Sequence, residues 1–487
     1  MRKARTTLLL GLVAALAAGA AFAQVDFSQY VALGDSLTAG VVNFGSVETY
    51  QKNSVPAIIA RQAGITGFQQ PLVSEPGLPP LLYLNALAIT PLGVSPDIEM
   101  KSGAGAPLNA NLPVPYNNLG IDGANTLDLL TRTGNIYNLA ADFGQYAAGA
   151  VGKNVPFSDL VLRFPVFPGT STPATAVAQA IALQPTFITV AIGSNEALGA
   201  AESAVVLDGV TLTTKADFQT QYTQLLGALR QTRPNASIMV ATIQDVLPFV
   251  TTIKPYIVNP ADGSHIPLIG EAGPLSENDF VTLLASSLLA QGIGIPRAAG
   301  GTGLPLPEGS IDGTGLHAGV ILRAAEMGAI VQRIGEYNDV IKGVATAVGA
   351  KVIDLNAVYR NWAQSGVLIG GIHLTTSFLT GGMFGYDGVH PSALGYALVA
   401  REWIKAINSN FGTKLADIDL RPFLTGEGAA SATSVLAANT VVSEQAAVAM
   451  VKAYAPYALT DKLQPGHTIH RRVTAQPGSK QTTKEKP

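Results

Sequence analysis

The chain has 487 residues, 47% of them hydrophobic and 13% charged, with a formal net charge of −3 and no cysteine. This much apolar material supplies a sizeable core and excludes disorder throughout, while the lack of cysteine excludes disulfides, a thiol nucleophile and metal sites held by thiolates. Basic residues concentrate at the two ends, and the acidic stretch between them argues against nucleic acid as the main partner.

The first 23 residues have the pattern of a secretory signal peptide. Three basic residues lie between positions 2 and 5, an apolar run follows from 8 to 21, and small residues precede a cleavage site after Ala23. The apolar run is short for a membrane span of about 20 residues, so we expect cleavage rather than retention as an anchor. The later sequence contains no other apolar stretch of spanning length. These features predict a secreted or periplasmic protein without an integral membrane span.

Five short runs rich in β-branched and aliphatic residues predict strands, at 30–33, 118–121, 187–192, 237–243 and 351–355. Apolar periodicity predicts helices between or after them, at 126–133, 174–183, 216–230, 322–348 and 392–408. Buried strands that alternate with helices are typical of a doubly wound α/β sheet. Because ligands bind at the carboxyl ends of the strands in such sheets, we expect the functional residues directly after the strands.

Two long insertions, at about 70–115 and about 251–315, exceed what a minimal α/β domain needs. The second contains a predicted helix around 278–290. Loops of this length are usually functional lids or walls, but they can equally cover apolar core surface, and both interpretations stay open. After the core, 413–462 is predicted to be a mainly helical extension with one or two helices within 433–453, and 463–487 a disordered basic tail.

The sharpest local motif is Gly34-Asp35-Ser36-Leu37, at the predicted turn from the first strand into a helix. Gly34 permits a tight turn, and Ser36 then stands at a helix N-terminus, where backbone N–H groups and the helix dipole favour negative charge. A serine in this position can also be an ordinary N-cap. This motif alone does not distinguish a nucleophile from a cap, and its interpretation depends on motifs elsewhere in the chain.

Two further turns after predicted strands supply hydrogen-bond donors. Gly123 lies in Gly-rich backbone after the second strand, and Asn195 adds a side-chain amide after the third. Ester hydrolysis through an acyl-enzyme needs such donors for the developing oxyanion, together with a nucleophile, a base and a group that orients the base.

The base and its orienting group are supplied by Asp387-Gly388-Val389-His390-Pro391, directly before the last predicted helix. An aspartate and a histidine three residues apart on a tight turn can point the same way, so that the carboxylate accepts the Nδ1 proton of the imidazole. Asp262 and His265 have the same spacing, but no helical pattern follows them, and we interpret them as a surface turn. No pair of histidines has metal-ligand spacing.

With these motifs in the family's order, the chain resembles the SGNH hydrolases, also called GDSL lipases or acylhydrolases. The resemblance implies a hydrolase domain over 24–412, with a three-layer α/β/α fold around a flavodoxin-like parallel sheet and neither metal nor organic cofactor. It implies Ser36, Asp387 and His390 as catalytic residues, with Ser36, Gly123 and Asn195 forming the oxyanion hole. One departure is Glu196, where the family usually has aspartate after the asparagine. The G-x-S-x-G elbow of α/β-hydrolases is absent.

The function implied is a serine esterase or lipase acting on a small-molecule or lipid ester. One alternative is removal of O-acetyl groups from a polysaccharide, which ranks second because Trp362 and Trp403 are the only tryptophans available for sugar stacking. Another is a non-catalytic surface-binding protein that kept the fold. Apolar residues in and near the insertions either line an acyl pocket or cover the core: Leu72, Leu78, Leu81, Leu82, Leu84, Leu87, Val250, Ile253 and Ile257.

Overall fold

The computed structural model describes one main body, with short gaps in the sequence, and three short strands that follow it in the chain. The body comprises residues 25–90, 93–135, 157–245, 253–259, 261–312, 315–379 and 381–424. The strands beyond it are Val441–Val442, Ala458–Leu459 and His470–Arg471. The predicted signal peptide lies outside the described residues.

Most of the predicted helical extension and of the predicted disordered tail also lies outside the described residues. Val441–Val442 pairs in parallel with Asp97 and Ile98 of the first insertion, and Ala458–Leu459 pairs with His470–Arg471. Adjacent valines favour a strand, and the edge of a hairpin offers them unpaired backbone groups. The one or two helices predicted within 433–453 therefore do not include Val441–Val442.

In the described part of the chain, five parallel strands form the central sheet: β1 (Tyr30–Gly34), β2 (Asn118–Gly120), β3 (Phe187–Ala191), β4 (Ser237–Ala241) and β5 (Lys351–Ile353). Their order across the sheet is β2-β1-β3-β4-β5, which is the flavodoxin-like order. The direction of winding reverses between β1 and β3, so the loops after these two strands flank the position where such sheets bind ligands. All five predicted strands are confirmed.

The helices of the described residues are α1 (Ser36–Ala39), α2 (Glu48–Gln51), α3 (Val55–Gln62), α4 (Thr126–Thr131), α5 (Phe157–Leu162), α6 (Ala176–Ala182), α7 (Asn195–Ser203), α8 (Lys215–Thr232), α9 (Ser286–Ala290), α10 (Ala324–Ala347), α11 (Leu355–Ser365) and α12 (Ala393–Phe411). Helices α4, α6, α8, α10 and α12 confirm the five predicted from apolar periodicity. Among all these helices, none combines the length and the apolar character that crossing a bilayer requires.

Besides α2, α3, α5 and α7, which the sequence analysis does not predict, two helices differ from it. The helix predicted around 278–290 is reduced to α9, because Phe280–Val281 pairs as a strand with Ile321–Leu322. Aromatic and β-branched residues in a buried pair of strands favour this outcome. Helix α11 is not predicted; Asp354 begins it by accepting the N–H of Ala357.

The alternation of side chains along β1 divides the core into two layers. Val31 and Leu33 face a layer that contains residues of α4 to α10, whereas Tyr30 and Ala32 face a layer that contains residues of α3, α11 and α12. All four side chains are fully buried. A parallel strand covered by helices on both faces is apolar throughout for this reason. The three-layer α/β/α architecture is confirmed.

Both insertions contain hairpins. In the first, Leu82–Thr90 pairs antiparallel with Gly93–Met100, and in the second, Tyr256–Val258 pairs with His265–Pro267.

The leucines of the first insertion contribute to the core. Leu78, Leu81 and Leu82 are buried in it, whereas Leu84 is 40% exposed. These positions favour the interpretation that the insertion covers core surface.

Arg163 ties the end of the first insertion to the core just ahead of β2. The side chain follows α5, is buried, and donates through Nη1 to the carbonyl of Leu112 and through Nη2 to that of Val114, both at 2.6 Å. Its guanidinium lies 4.7 Å from the ring centroid of Tyr116. Carbonyl groups and an aromatic face thus compensate the burial of the cation.

We predict that Arg163→Leu lowers the free energy of unfolding by about 3 kcal/mol, because it removes two charge-assisted hydrogen bonds from a buried guanidinium to the carbonyls of Leu112 and Val114. Urea denaturation measures the change. Arg421→Leu is the control, since that side chain is 87% exposed and its ion pair with Asp419 contributes little. Equal denaturation midpoints for the two variants would contradict the role of Arg163.

Candidate active site

The turn after β1 places Ser36 at the start of α1 but does not use it as a cap. Asp35 is the N-cap of α1, and its carboxylate accepts the N–H of Leu37 at 3.0 Å. Ser36 is the first helical residue and is 7% exposed. The interpretation of Ser36 as an ordinary N-cap is therefore wrong, and its hydroxyl is not required for helix capping.

Gly34 allows the ends of β1 and β3 to approach closely. A Cβ atom at this position would lie 2.3 Å from the carbonyl oxygen of Ala191 and 2.0 Å from Oγ1 of Thr38. Any larger residue would force the two strands apart. The glycine thus sets the separation between the Ser36 turn and the loop that follows β3.

Asp387 and His390 form a buried hydrogen-bonded pair. The distance from Nδ1 of His390 to Oδ2 of Asp387 is 2.8 Å, and both side chains are fully buried. Oδ1 of Asp387 accepts the backbone N–H groups of Val389 and His390, each at 2.9 Å, while Oδ2 accepts that of Phe44 at 2.5 Å. The carboxylate is therefore held by backbone donors from both sides.

The pKa values of the pair follow from this geometry. Burial favours the neutral form of both groups, but the charge of His390 and the hydrogen bonds to Asp387 outweigh it and hold the pKa of Asp387 below its usual value. Conversely, burial lowers the pKa of His390, while the charge and hydrogen bond of Asp387, followed by the charges of Asp122 and Asp35, raise it overall. The geometry therefore stabilises the imidazolium form of His390 relative to that of an isolated histidine.

The turn that carries this pair is attached to the loop after α1. Oδ1 of Asn43 accepts the N–H of Tyr386 at 2.8 Å, next to the bond between Phe44 and Asp387. Tyr396, on α12, donates its hydroxyl to the carbonyl of Val41 at 2.8 Å. These contacts hold the Asp387–His390 turn against the loop that follows α1, the helix that begins with Ser36.

The loops that carry Gly123 and Asn195 contact each other at the carboxyl ends of β2 and β3. Gly123 follows β2 with a φ of 69°, a left-handed conformation that favours glycine. The side-chain amide of Asn195, at the start of α7, donates to the carbonyl of Ala124 at 2.7 Å. The end of β2 is in turn tied to β1, because the N–H of Ile121 donates to the carbonyl of Gly34 at 3.0 Å. The loops after β1, β2 and β3 thus contact one another.

Sequence reasoning missed several groups at this site. Burial raises the pKa of Asp35 to about 7 and that of Glu202 to about 8. Burial also raises the pKa of Asp122, against the charge of His390. Asp122 is detectable in principle, because it is an acid directly before the predicted donor Gly123. Phe44 is not, because it contributes only a backbone N–H, which every residue except proline has.

The competing histidines lie elsewhere. His265 lies in a hairpin, with its ring stacked on Tyr256 at a centroid distance of 3.6 Å and its Nδ1 at 2.7 Å from Glu277. This is the predicted surface location. His373 is exposed and contacts the carbonyl of Ser365. Within the described residues there is no group of three or more acidic or histidine side chains arranged to hold a metal ion.

A cavity lies behind Ser36, between the sheet and the layer of α3, α11 and α12. Its walls include Asp35, Leu37, Tyr359, Pro391 and Trp403, but neither Ser36 nor His390. Of the residues considered above for an acyl pocket, none of those whose side chains the structure describes lines it. We therefore do not assign this cavity to the substrate.

A family model described as GDSL-like lipase/acylhydrolase matches residues 30–403. An acetyl xylan esterase, AlAXEase, is similar in structure with 14% identity over 78% of this chain and 98% of its own, at a TM-score of 0.29. A phospholipase A1 from Streptomyces albidoflavus has 13% identity over 79% of this chain and 99% of its own, at a TM-score of 0.31. An extracellular lipase from Streptomyces rimosus has 14% identity over 78% of this chain and 98% of its own, also at a TM-score of 0.31. No curated protein sequence matches the chain.

Because these TM-scores are low, the assignment of the chain to a family rests on the family model. This model matches most of the chain, and the matched range includes all five predicted site residues. The chain belongs to the GDSL-like lipase/acylhydrolase family and is a carboxylic ester hydrolase.

Proposed function

We propose that the chain is a secreted serine esterase that forms an acyl-enzyme on Ser36. His390 accepts the proton of Ser36 as Oγ attacks the ester carbonyl, and later donates it to the leaving alcohol. Water then releases the acyl group. The observation that carries this proposal is the buried contact between His390 and Asp387, held against the loop that follows Ser36.

Asp387 has two roles in this scheme. Its hydrogen bond to Nδ1 fixes the tautomer, which leaves Nε2 to accept the serine proton. Its charge also stabilises the imidazolium that forms during attack, in agreement with the raised pKa of His390.

The oxyanion is stabilised by the backbone N–H groups of Ser36 and Gly123 and by the side-chain amide of Asn195. An amide nitrogen has two hydrogens, so the bond from Asn195 to Ala124 leaves the second hydrogen for the oxyanion. That same bond fixes the rotamer of Asn195 before substrate arrives.

The substrate class that we favour is a small-molecule or lipid ester rather than an acetylated polysaccharide. Trp362 is 7% exposed and Trp403 2% exposed, so neither tryptophan is available to stack on a sugar ring. Secretion is supported by the signal-peptide pattern of the first 23 residues. A non-catalytic binder would not need the buried Asp387–His390 pair, whose desolvation is costly.

We predict that Ser36→Ala abolishes both ester turnover and covalent labelling by a serine-directed phosphonate, because the nucleophilic oxygen is lost. Mass spectrometry of the labelled protein identifies the modified residue. Ser46→Ala is the control, since that serine is buried and its hydroxyl has no hydrogen-bond partner among the described residues. Normal turnover by Ser36→Ala would exclude the mechanism.

We predict that kcat/KM falls as the pH drops through a value above 6.5, because His390 must be neutral to act as a base and its pKa is raised. Asp387→Asn removes the group that contributes most to raising this pKa, so the acid limb moves to lower pH while kcat falls by about 10³- to 10⁴-fold. The pH profiles of both proteins test this. An acid limb at the same pH in both would contradict the assigned pair.

We predict that nitrophenyl esters are hydrolysed and that acetylated xylan is not. A series of nitrophenyl esters of rising chain length, assayed beside the polysaccharide with Ser36→Ala as the blank, tests the substrate class. Release of acetate from xylan at a higher kcat/KM than from nitrophenyl acetate would favour the polysaccharide alternative.

A further inference from the structure

Glu196 is a buried acid next to the proposed oxyanion donor Asn195. It is 2% exposed, and burial raises its pKa to about 7, with hydrogen bonds from Thr126 acting in the opposite direction. A carboxyl group buried inside a helix is costly unless it is hydrogen-bonded. The contacts of this side chain therefore need an explanation.

Glu196 and Asn195 hold the same loop by bonds of opposite polarity. Oε1 of Glu196 accepts the backbone N–H of Thr126 at 2.7 Å, while the amide of Asn195 donates to the carbonyl of Ala124 at 2.7 Å. The two contacted residues, Ala124 and Thr126, flank Asn125 and come directly after Gly123. Two adjacent residues of α7 thus fix the backbone that presents the N–H of Gly123.

The bond to Thr126 is not needed to begin α4. Asn125 and Asp128 already form a capping box: Oδ1 of Asn125 accepts the N–H of Asp128 at 2.9 Å, and Oδ2 of Asp128 accepts the N–H of Asn125 at 3.0 Å. The carboxyl of Glu196 adds a contact from a different helix. It couples the loop after β2 to the loop after β3.

Glu196 is itself anchored on its other side. Its backbone carbonyl accepts the N–H of Thr213 at 3.1 Å. The carbonyl of Thr213 accepts from Nη1 of Arg333 at 2.7 Å and from the hydroxyl of Tyr337, both on α10. The start of α7 is therefore attached to a long helix of the outer layer, and the loop with Gly123 is held against a rigid support.

We propose that Glu196 is a positioning residue, whose carboxyl oxygen keeps the Gly123 loop where its N–H meets the oxyanion. This inference rests on the proposed function. The role requires an acceptor oxygen and not a negative charge, because either form of the carboxyl group can accept the N–H of Thr126. Displacement of the loop weakens an interaction made in the transition state, so it lowers kcat and leaves KM nearly unchanged.

Replacements of Glu196 test the need for an acceptor. Glu196→Gln keeps an acceptor oxygen, and we expect its kcat to stay within about threefold of the parent. Glu196→Leu has similar bulk but no acceptor, and we expect its kcat to fall by about 30- to 100-fold, since misplacement by about 1 Å has a cost of that order. KM for a nitrophenyl ester should change by less than about twofold in both variants.

The hydrogen bond between Thr126 and Glu196 can also be removed at its donor, the backbone N–H of Thr126. Thr126 is the first residue of α4, a position that tolerates proline, and Asn125 before it has the extended conformation that proline requires. Thr126→Pro removes the N–H without altering Glu196, and we expect it to lower kcat about as much as Glu196→Leu. The double variant should lose no more than either single variant, because both remove one contact. This arm remains informative if Glu196→Leu does not fold.

Controls separate positioning from general destabilisation and from failure of the proposed function. Thr175→Ala removes a cap at α6, so it should lower the thermal midpoint and leave kcat unchanged. Asn195→Ala, which removes an oxyanion donor directly, should lower kcat by about 10²- to 10³-fold.

Several outcomes would overturn the positioning role. They are a normal kcat for Glu196→Leu, an equal loss in the glutamine and leucine variants, and additive losses in the double variant. Turnover by Ser36→Ala would instead overturn the proposed function.

Discussion

The hydrogen bond between His390 and Asp387 is the contact on which the rest of the site depends. An imidazole with no exposed surface loses its charged form unless a carboxylate lies next to it. Asp387 supplies that carboxylate, and the charge of His390, its hydrogen bond and three backbone N–H groups keep it ionised in spite of its own burial. One of them belongs to Phe44, in the loop after α1, so the contact that stabilises the acid also docks its turn beside Ser36.

Other buried acids of the site have raised pKa values and therefore carry less negative charge than Asp387. Burial raises the pKa of Asp35 and of Glu196 to about 7 and that of Glu202 to about 8. Near neutral pH these groups are protonated in substantial part, whereas the pKa of Asp387 is lowered. The field at His390 is therefore dominated by one carboxylate, although several lie near it. Asp387 differs from these acids because it contacts His390 directly and accepts three backbone N–H groups, whereas burial dominates at the others.

The proposed oxyanion donors come from three loops that contact one another. Gly34 permits the close approach of β1 and β3, Ile121 connects the end of β2 to β1, and Asn195 connects α7 to the loop after β2. Donors stabilise a transition state well only if they are oriented before the reaction begins. The contacts between the loops supply that orientation, and Glu196 extends them to Thr126.

Much of this protein is determined by local sequence. Runs such as 30–33 and 187–192 identify the strands because a strand buried on both faces is apolar throughout, and turn glycines mark where the strands end. The spacing of Asp387 and His390, together with the helical pattern that follows them, indicates the pair. The same spacing at Asp262 and His265 lacks that pattern, and His265 contacts Glu277 instead. The motifs and their order are sufficient to indicate the family.

The tertiary structure decided what depends on segments far apart in the chain. Phe44 donates to Asp387 across 343 residues, and Glu196 reaches Thr126 across 70. Backbone donors have no residue-type signature, and the pKa of an acid depends on how completely other segments bury it. Pairing in a distant strand likewise overrides local helix periodicity at Phe280–Val281. Such properties arise only when the chain is folded, because they belong to contacts and not to residues.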